Sequence, residues 1–164
     1  MNPAQPSQVV LAFLTVRPTS DDAVRGGYLL TTRHGRPIEF HYTADLRLRG
    51  PQRLLFGSRI EEFLEVDLLA MPLVERQSAA PNIIVVDRPA LLELRTRIPA
   101  PVVLLEPSDA AEQPWAARAH PTCEGDYLEF RAILDLTPPN FDWLEPFERL
   151  GAALGEVRET RLAA

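Results

Sequence analysis

Short apolar runs alternate with proline-ended polar stretches along this 164-residue chain. Residues 9–16 form a continuous, β-branched-rich apolar run, the pattern of a strand buried on both faces. A polar turn at 18–22 follows. Residues 27–32 and 38–43 then flank Arg33-His34-Gly35-Arg36, which predicts a hairpin with His34-Gly35 at its tip. Gly35 supplies the positive φ that such turns demand. Pairing across that turn puts Leu29, Thr31, Ile38, Phe40 and Tyr42 on one face, and Tyr28, Leu30, Glu39 and His41 on the other. Pro37 cannot donate a ladder bond, which predicts a free strand edge there.

Residues 51–56 fit one helical turn closed by Gly57. Ser58 and Glu61 then match a capping box opening a helix. Its buried stripe is expected at Ile60, Phe63, Leu64, Leu68 and Met71, with Pro72 ending or kinking it. Residues 82–87 read as a short buried strand, and Asp87 is placed to cap a helix opening at Pro89. Leu91, Leu92 and Leu94 give that helix an apolar side, and residues 102–105 return as a second buried strand. Two apolar strands joined by a helix predict a parallel, right-handed βαβ unit. Residues 106–122 read as irregular. Residues 127–136 fit both strand alternation and helical stacking, and helix is preferred. From Leu144 on, Phe147, Leu150, Leu154 and Val157 mark an amphipathic helix, weakened by Gly151 and Gly155. The expected fold is a single α/β domain over 9–164 behind a flexible tail at 1–8. Its mixed sheet has an N-terminal antiparallel hairpin (βββ-α-β-α-β), followed by C-terminal helices.

Composition narrows the chemistry. Apolar residues make up 46% and charged residues 24% of the chain, which is ordinary for a globular domain. All seventeen basic residues are arginine, so Schiff-base, pyridoxal-phosphate and GxxxxGK[ST] chemistry is excluded. The longest apolar run is far below the ~20 residues of a membrane span. No basic, cleavable leader opens the sequence, and Cys123 is the lone cysteine, so a cytoplasmic protein with no membrane contact is expected. Residues 25–59 carry seven arginines against Glu39 and Asp45, a net of +5, whereas residues 106–164 carry a net of −7. Such asymmetry marks either a basic binding face or two halves that attract each other.

Candidate chemistry is sparse. Asp87 sits at a strand's carboxyl end, where α/β sheets gather ligands, although a helix cap is the preferred reading. Glu39 and His41 share a strand face opposite Tyr28, so a carboxylate there can orient an imidazole for proton transfer; a solvated hairpin face is the plainer reading. His120, Cys123, Glu124 and Asp126 cluster in sequence but lack the paired spacing of a zinc site, so no metal and no cofactor is expected. Arg33, Arg36, Arg47, Arg49 and Arg53 can grip an acidic protein surface or phosphate. Trp115 and Trp143 are expected in the core or as partner anchors. There is no GxSxG, GxGxxG or HExxH.

Gly26-Gly27-Tyr28-Leu29, the run from Gly35-Arg36-Pro37-Ile38-Glu39-Phe40 to Thr43, and Gln52-Arg53-Leu54-Leu55-Phe56-Gly57 resemble a family of uncharacterised bacterial proteins with GGYL…GRPxEFxxT…QxxLxG blocks. Leu144-Glu145-Pro146-Phe147-Glu148-Arg149 is similar too. The likeness covers residues 9–105 and the terminal helix, and implies no activity. The order of three strands, helix, strand, helix, strand and C-terminal helix resembles the ribonuclease H-like fold. That resemblance implies an aspartate on the first strand, yet residues 9–16 contain no acid. The expectation is therefore a non-enzymatic interaction or regulatory subunit with a protein partner. The alternatives are a hydrolase or nuclease-like enzyme using Asp87 with Glu39 and His41, and a phosphate or nucleic-acid binder through residues 25–59.

Overall fold

The computed structural model describes residues 8–20 and 22–163, with side chains through residue 157. Most of the expected flexible tail thus lies outside the described residues. Seven strands form one mixed sheet: β1 (Val10–Ser20), β2 (Ala23–Thr32), β3 (Pro37–Tyr42), β4 (Leu46–Arg47), β5 (Ile83–Val86), β6 (Val102–Pro107) and β7 (Trp115–Ala119). They lie in the order β3-β2-β1-β5-β6-β7, with β4 paired to β2. β1 is antiparallel to β2 and parallel to β5, and β6 continues parallel to β5. The expected α/β class, a single domain with a mixed sheet and helices, is what the chain adopts.

Strand alternation sorts the core into two layers. Ala12, Leu14 and Val16 of β1, with Tyr28, Leu30, Ile84 and Val86, pack against a helical stretch at 57–75 and a 3-10 helix at Pro89–Thr96. Leu11 and Phe13, with Leu29, Val85, Val103 and Leu105, pack against helices α4 (Gly125–Leu136) and α5 (Glu145–Ala163). Trp115 and Trp143 belong to this second layer, in edge contact with Phe130 at 5.5 and 5.0 Å. Continuous apolar strands are the direct consequence of covering both faces. Adjacent glycines on β2 admit the covers closely: a Cβ on Gly26 would meet Leu73 at 2.9 Å, and one on Gly27 would meet Leu154 at 2.9 Å.

The hairpin keeps its expected faces, with Tyr28 opposite His41 and Leu29 opposite Phe40. A bulge then pairs Thr31 with Pro37, and the tip closes through Gly35 N donating to Thr32 O at 2.9 Å, with Gly35 at φ 83°. β3 is the sheet edge, as Pro37 requires.

Several expectations are corrected. β1 runs on to Ser20, β2 begins at Ala23, and β4 and β7 were not anticipated. Ser58 caps nothing: helix α1 (Gly50–Phe56) passes through a 3-10 turn, Gly57–Arg59, straight into helix α2 (Ile60–Glu62). Gly57, at φ 53°, closes α1 as expected, and the N-cap position of α2 falls on Arg59 rather than Ser58. A π-helical segment, Phe63–Ala70, follows and leads into helix α3 (Met71–Glu75), so Pro72 neither ends nor breaks the stretch. The wider i→i+5 winding absorbs the amide that proline lacks. It also moves the buried stripe to Val66, Leu69, Ala70, Leu73 and Val74, leaving Ile60, Phe63, Leu64, Leu68 and Met71 half-buried. Asp87 is not a helix cap either. Residue Arg88 holds that position, with no capping hydrogen bond from its side chain.

Candidate functional site

The carboxyl end of β5 meets the middle of β1 at Asp87. Parallel pairing sets Leu14 beside Val86, so the next residues, Thr15 and Asp87, are neighbours on one face. Thr15 Oγ1 donates to Asp87 Oδ2 at 3.0 Å, and the Arg17 guanidinium reaches the same oxygen at 2.9 Å. Arg17 rests against α5, where a Cβ on Gly151 would stand 3.7 Å from its Nε. Asp87 Oδ1 is buried without a hydrogen-bond partner. Burial pushes the Asp87 carboxyl above the usual aspartate range, against the pull of Arg17 and Thr15.

Arg88 turns to the opposite face. There its Nε donates at 2.8 Å to Glu65 Oε1, and Glu65 is a buried carboxylate on the π-helical segment. The other Glu65 oxygen is buried and unpartnered. Two acid–arginine pairs, Asp87–Arg17 and Glu65–Arg88, therefore bracket the end of β5. Sequence reading found Asp87 but not Thr15, Arg17 or Glu65. Alternation along β1 does carry a signal for the first two, since residues 13, 15 and 17 share a face.

The other candidates go elsewhere. Glu39 and His41 lie on β3, three strands from β5 and roughly 14 Å away by strand spacing alone. They also face the 57–75 side of the sheet, whereas Asp87 faces α5. The structure does not bring these groups together. Glu39 instead latches the edge strand to the segment after α3. Its Oε1 accepts from Ala79 N at 2.7 Å, and its Oε2 accepts from Ser78 N at 3.0 Å and contacts His41 Nε2 at 2.8 Å. The His41 contact first, then the Ser78 amide, holds Glu39 below the usual carboxylate range.

The five arginines divide between two ends of the sheet. Arg33 donates to Leu136 O at 2.9 Å and Arg36 is exposed beside it, both at the hairpin tip. At the other end of β2, Arg47 donates to Ser20 Oγ at 3.2 Å, Arg53 lies 3.9 Å from Asp22, and Arg49 is exposed ahead of α1. Ten residues of strand separate the groups, roughly 33 Å. The stretch 25–59 is thus not one binding face. His120 is tied to Thr122 and Glu93, and Asp126 to Arg95.

Two-metal phosphodiester chemistry needs divalent cations held by converging carboxylates. The residues here do not fit such a group. β1 carries no acid, and an arginine stands against Asp87. Among the described residues no three His, Cys, Asp or Glu side chains are placed to hold a metal ion.

The site makes a pH prediction. A carboxyl whose folded pKa is raised binds its proton more tightly in the folded state. That contribution is complete below the ordinary aspartate value of 3.8 and is lost as pH rises through the raised pKa. Asp87→Asn should therefore gain stability relative to the parent as pH climbs from 3.8 toward neutrality. Thermal unfolding across that range checks it; parallel profiles would refute the burial argument.

No family model and no curated protein matches the chain. Solved structures similar in part include Bacillus subtilis endonuclease V, at 11% identity and TM-score 0.47, covering 64% of this chain and 48% of that one. Ciona intestinalis endonuclease V, bound to a 24mer DNA containing an inosine followed by a ribo-adenosine, is similar at 14% identity and TM-score 0.42, covering 62% and 47%. Marinitoga piezophila Argonaute with a 5′ OH guide RNA gives 10% identity and TM-score 0.35, covering 65% and 18%. The chain spans about half the length of the endonuclease V structures. No helix among the described residues is long and apolar enough to cross a membrane.

Proposed function

We propose that this protein is a non-catalytic binding subunit that holds the phosphate backbone of a nucleic acid strand at the carboxyl end of β5 and the adjoining second half of β1. The observation that carries the reading is the Arg17 guanidinium 2.9 Å from Asp87 at the carboxyl end of β5. Positive charge stands where phosphodiester cleavage through metals would need converging acids. Arg17 remains about 35% exposed while the half-buried Asp87 holds it from behind, so its outward N–H groups stay available to a ligand. Arg47 is moored through Ser20 at the end of β1, three residues and roughly 10 Å of strand beyond Arg17. A guanidinium fork fixed from behind loses little freedom when it binds phosphate.

Anisotropy of a labelled single strand against salt tests this. Affinity should fall linearly on log–log axes, and Arg17→Gln with Arg47→Gln should lower the slope by about 1 per lost phosphate contact. An unchanged slope would sink the proposal.

A second reading, phosphodiester hydrolysis with Asp87 as the proton acceptor from water, is favoured by its unpartnered Oδ1 and raised pKa. Cleavage abolished by Asp87→Asn would install it in place of the first.

A further inference from the structure

Helix α1 is seven residues long and buries none of them. Leu54 and Leu55 are 85% and 84% exposed, and the chief anchor at its end is Phe56 stacked on Phe63 at 3.9 Å. A helix this short is marginal in water without packing, and two adjacent bare leucines are costly to leave uncovered. Beside it lies a cleft of about 350 Å³ walled by Pro18, Ala23, Val24, Leu48, Ile60 and Leu64. Arg53, Asp22 and Glu61 also line this cleft, and Arg49 and Arg59 are exposed on either side of α1.

A complementary surface lies on α4. Leu128 is 71% and Tyr127 39% exposed. Glu124, Glu129 and Asp135 are exposed around them, against the single base Arg131. Glu124 is four residues before Leu128 and so shares its helix face. The rim of the first patch carries three arginines against Asp22 and Glu61; that of the second carries three acids against Arg131.

The two patches cannot meet within one copy. α1 follows β4 at the Ser20 end of β1. α4 crosses the opposite end: Asp126 accepts from Val102 N at the start of β6, and Leu136 O accepts from Arg33 at the hairpin tip. The eleven residues of β1 separate them by roughly 35 Å. Two α1 patches facing each other would set one net positive rim against another, whereas α4 offers a net negative one.

We propose that copies of this chain assemble head to tail, the exposed face of α1 and its adjoining cleft receiving the Tyr127–Leu128 edge of α4 from a second copy. The contact is heterologous, so it closes a ring or propagates. Arg49, Arg53 and Arg59 on one copy face Glu124, Glu129 and Asp135 on the next.

Light scattering during size-exclusion chromatography, over a concentration series, tests this. The parent should self-associate, more weakly in high salt. Leu54→Asp/Leu55→Asp and, separately, Leu128→Asp should each weaken self-association by roughly tenfold or more. All three positions are solvent-facing, and circular dichroism shows whether the variants fold. Mixing the two variants is decisive. Each keeps one intact patch, so the pair should form a one-to-one complex that goes no further. A parent that stays monomeric at every concentration overturns the proposal. So does an oligomer indifferent to Leu128→Asp, or a mixture without the complex. Binding of a nucleic acid strand by Arg17 and Arg47 is scored separately and can fail without affecting this result.

Discussion

Asp45→Ala is expected to lower the unfolding free energy by about 3 kcal/mol, the cost of stranding a buried charge. The Arg25 side chain is among the largest fully buried ones, at 1% exposure. Its Nε donates to Asp45 Oδ1 at 2.8 Å, its second nitrogen reaches the same oxygen at 2.6 Å, and its third donates to Leu154 O at 2.9 Å. These bonds tie β2, the segment after β3 and α5 together. Removing Asp45 leaves a guanidinium with one carbonyl and no counter-charge. The reverse change is milder: Asp45 is 40% exposed and hydrates readily once alone. Arg25→Met should therefore cost clearly less than Asp45→Ala, although it removes more atoms. Urea unfolding of both variants decides the order. Equal costs would mean that water reaches Arg25.

Asp126→Ala should cost a similar amount, about 3 kcal/mol by loss of a buried, charge-assisted network. The Asp126 carboxylate accepts from Arg95 Nε at 2.6 Å and from Val102 N at 3.1 Å. The Val102 amide opens β6, so the loss leaves a buried donor unmet at the start of a central strand. Asp126→Asn keeps one acceptor oxygen and should recover part of the stability. Denaturant midpoints with unchanged slopes check this; an alanine variant as stable as the asparagine one would contradict it.

Both networks show where sequence reading stops. Apolar runs announced β1, β5 and β6, because a strand covered on two faces has no room for polar residues. They also placed the parallel unit and α5. β7 escaped because Trp115–Ala119 is a half-exposed edge strand with Arg118 in it, lying in proline-rich sequence. The buried face of 57–75 was misplaced because 3.6-residue periodicity does not describe a π-helical turn. Asp87 was found as a strand-end acid, yet its partners Thr15 and Arg17 lie 72 and 70 positions earlier in the chain. Only the pairing of β1 with β5 brings them together. Glu39 and His41 were rightly placed on one face. What they do there depends on Ser78 and Ala79, which local pattern cannot reach.

The division of the arginines is the most consequential difference. A count over 25–59 cannot see that a strand of β2's length parts Arg33 and Arg36 from Arg47, Arg49 and Arg53. The proposed surface draws instead on Arg17, which lies outside that stretch, together with Arg47.

One gel addresses the central claim directly. An end-labelled single strand is incubated with the protein and manganese, then resolved under native and denaturing conditions. The account requires an intact strand, shifted under native conditions and released by salt or by Arg17→Gln with Arg47→Gln. A shortened strand in the denaturing lane, restored to full length by Asp87→Asn, would contradict it.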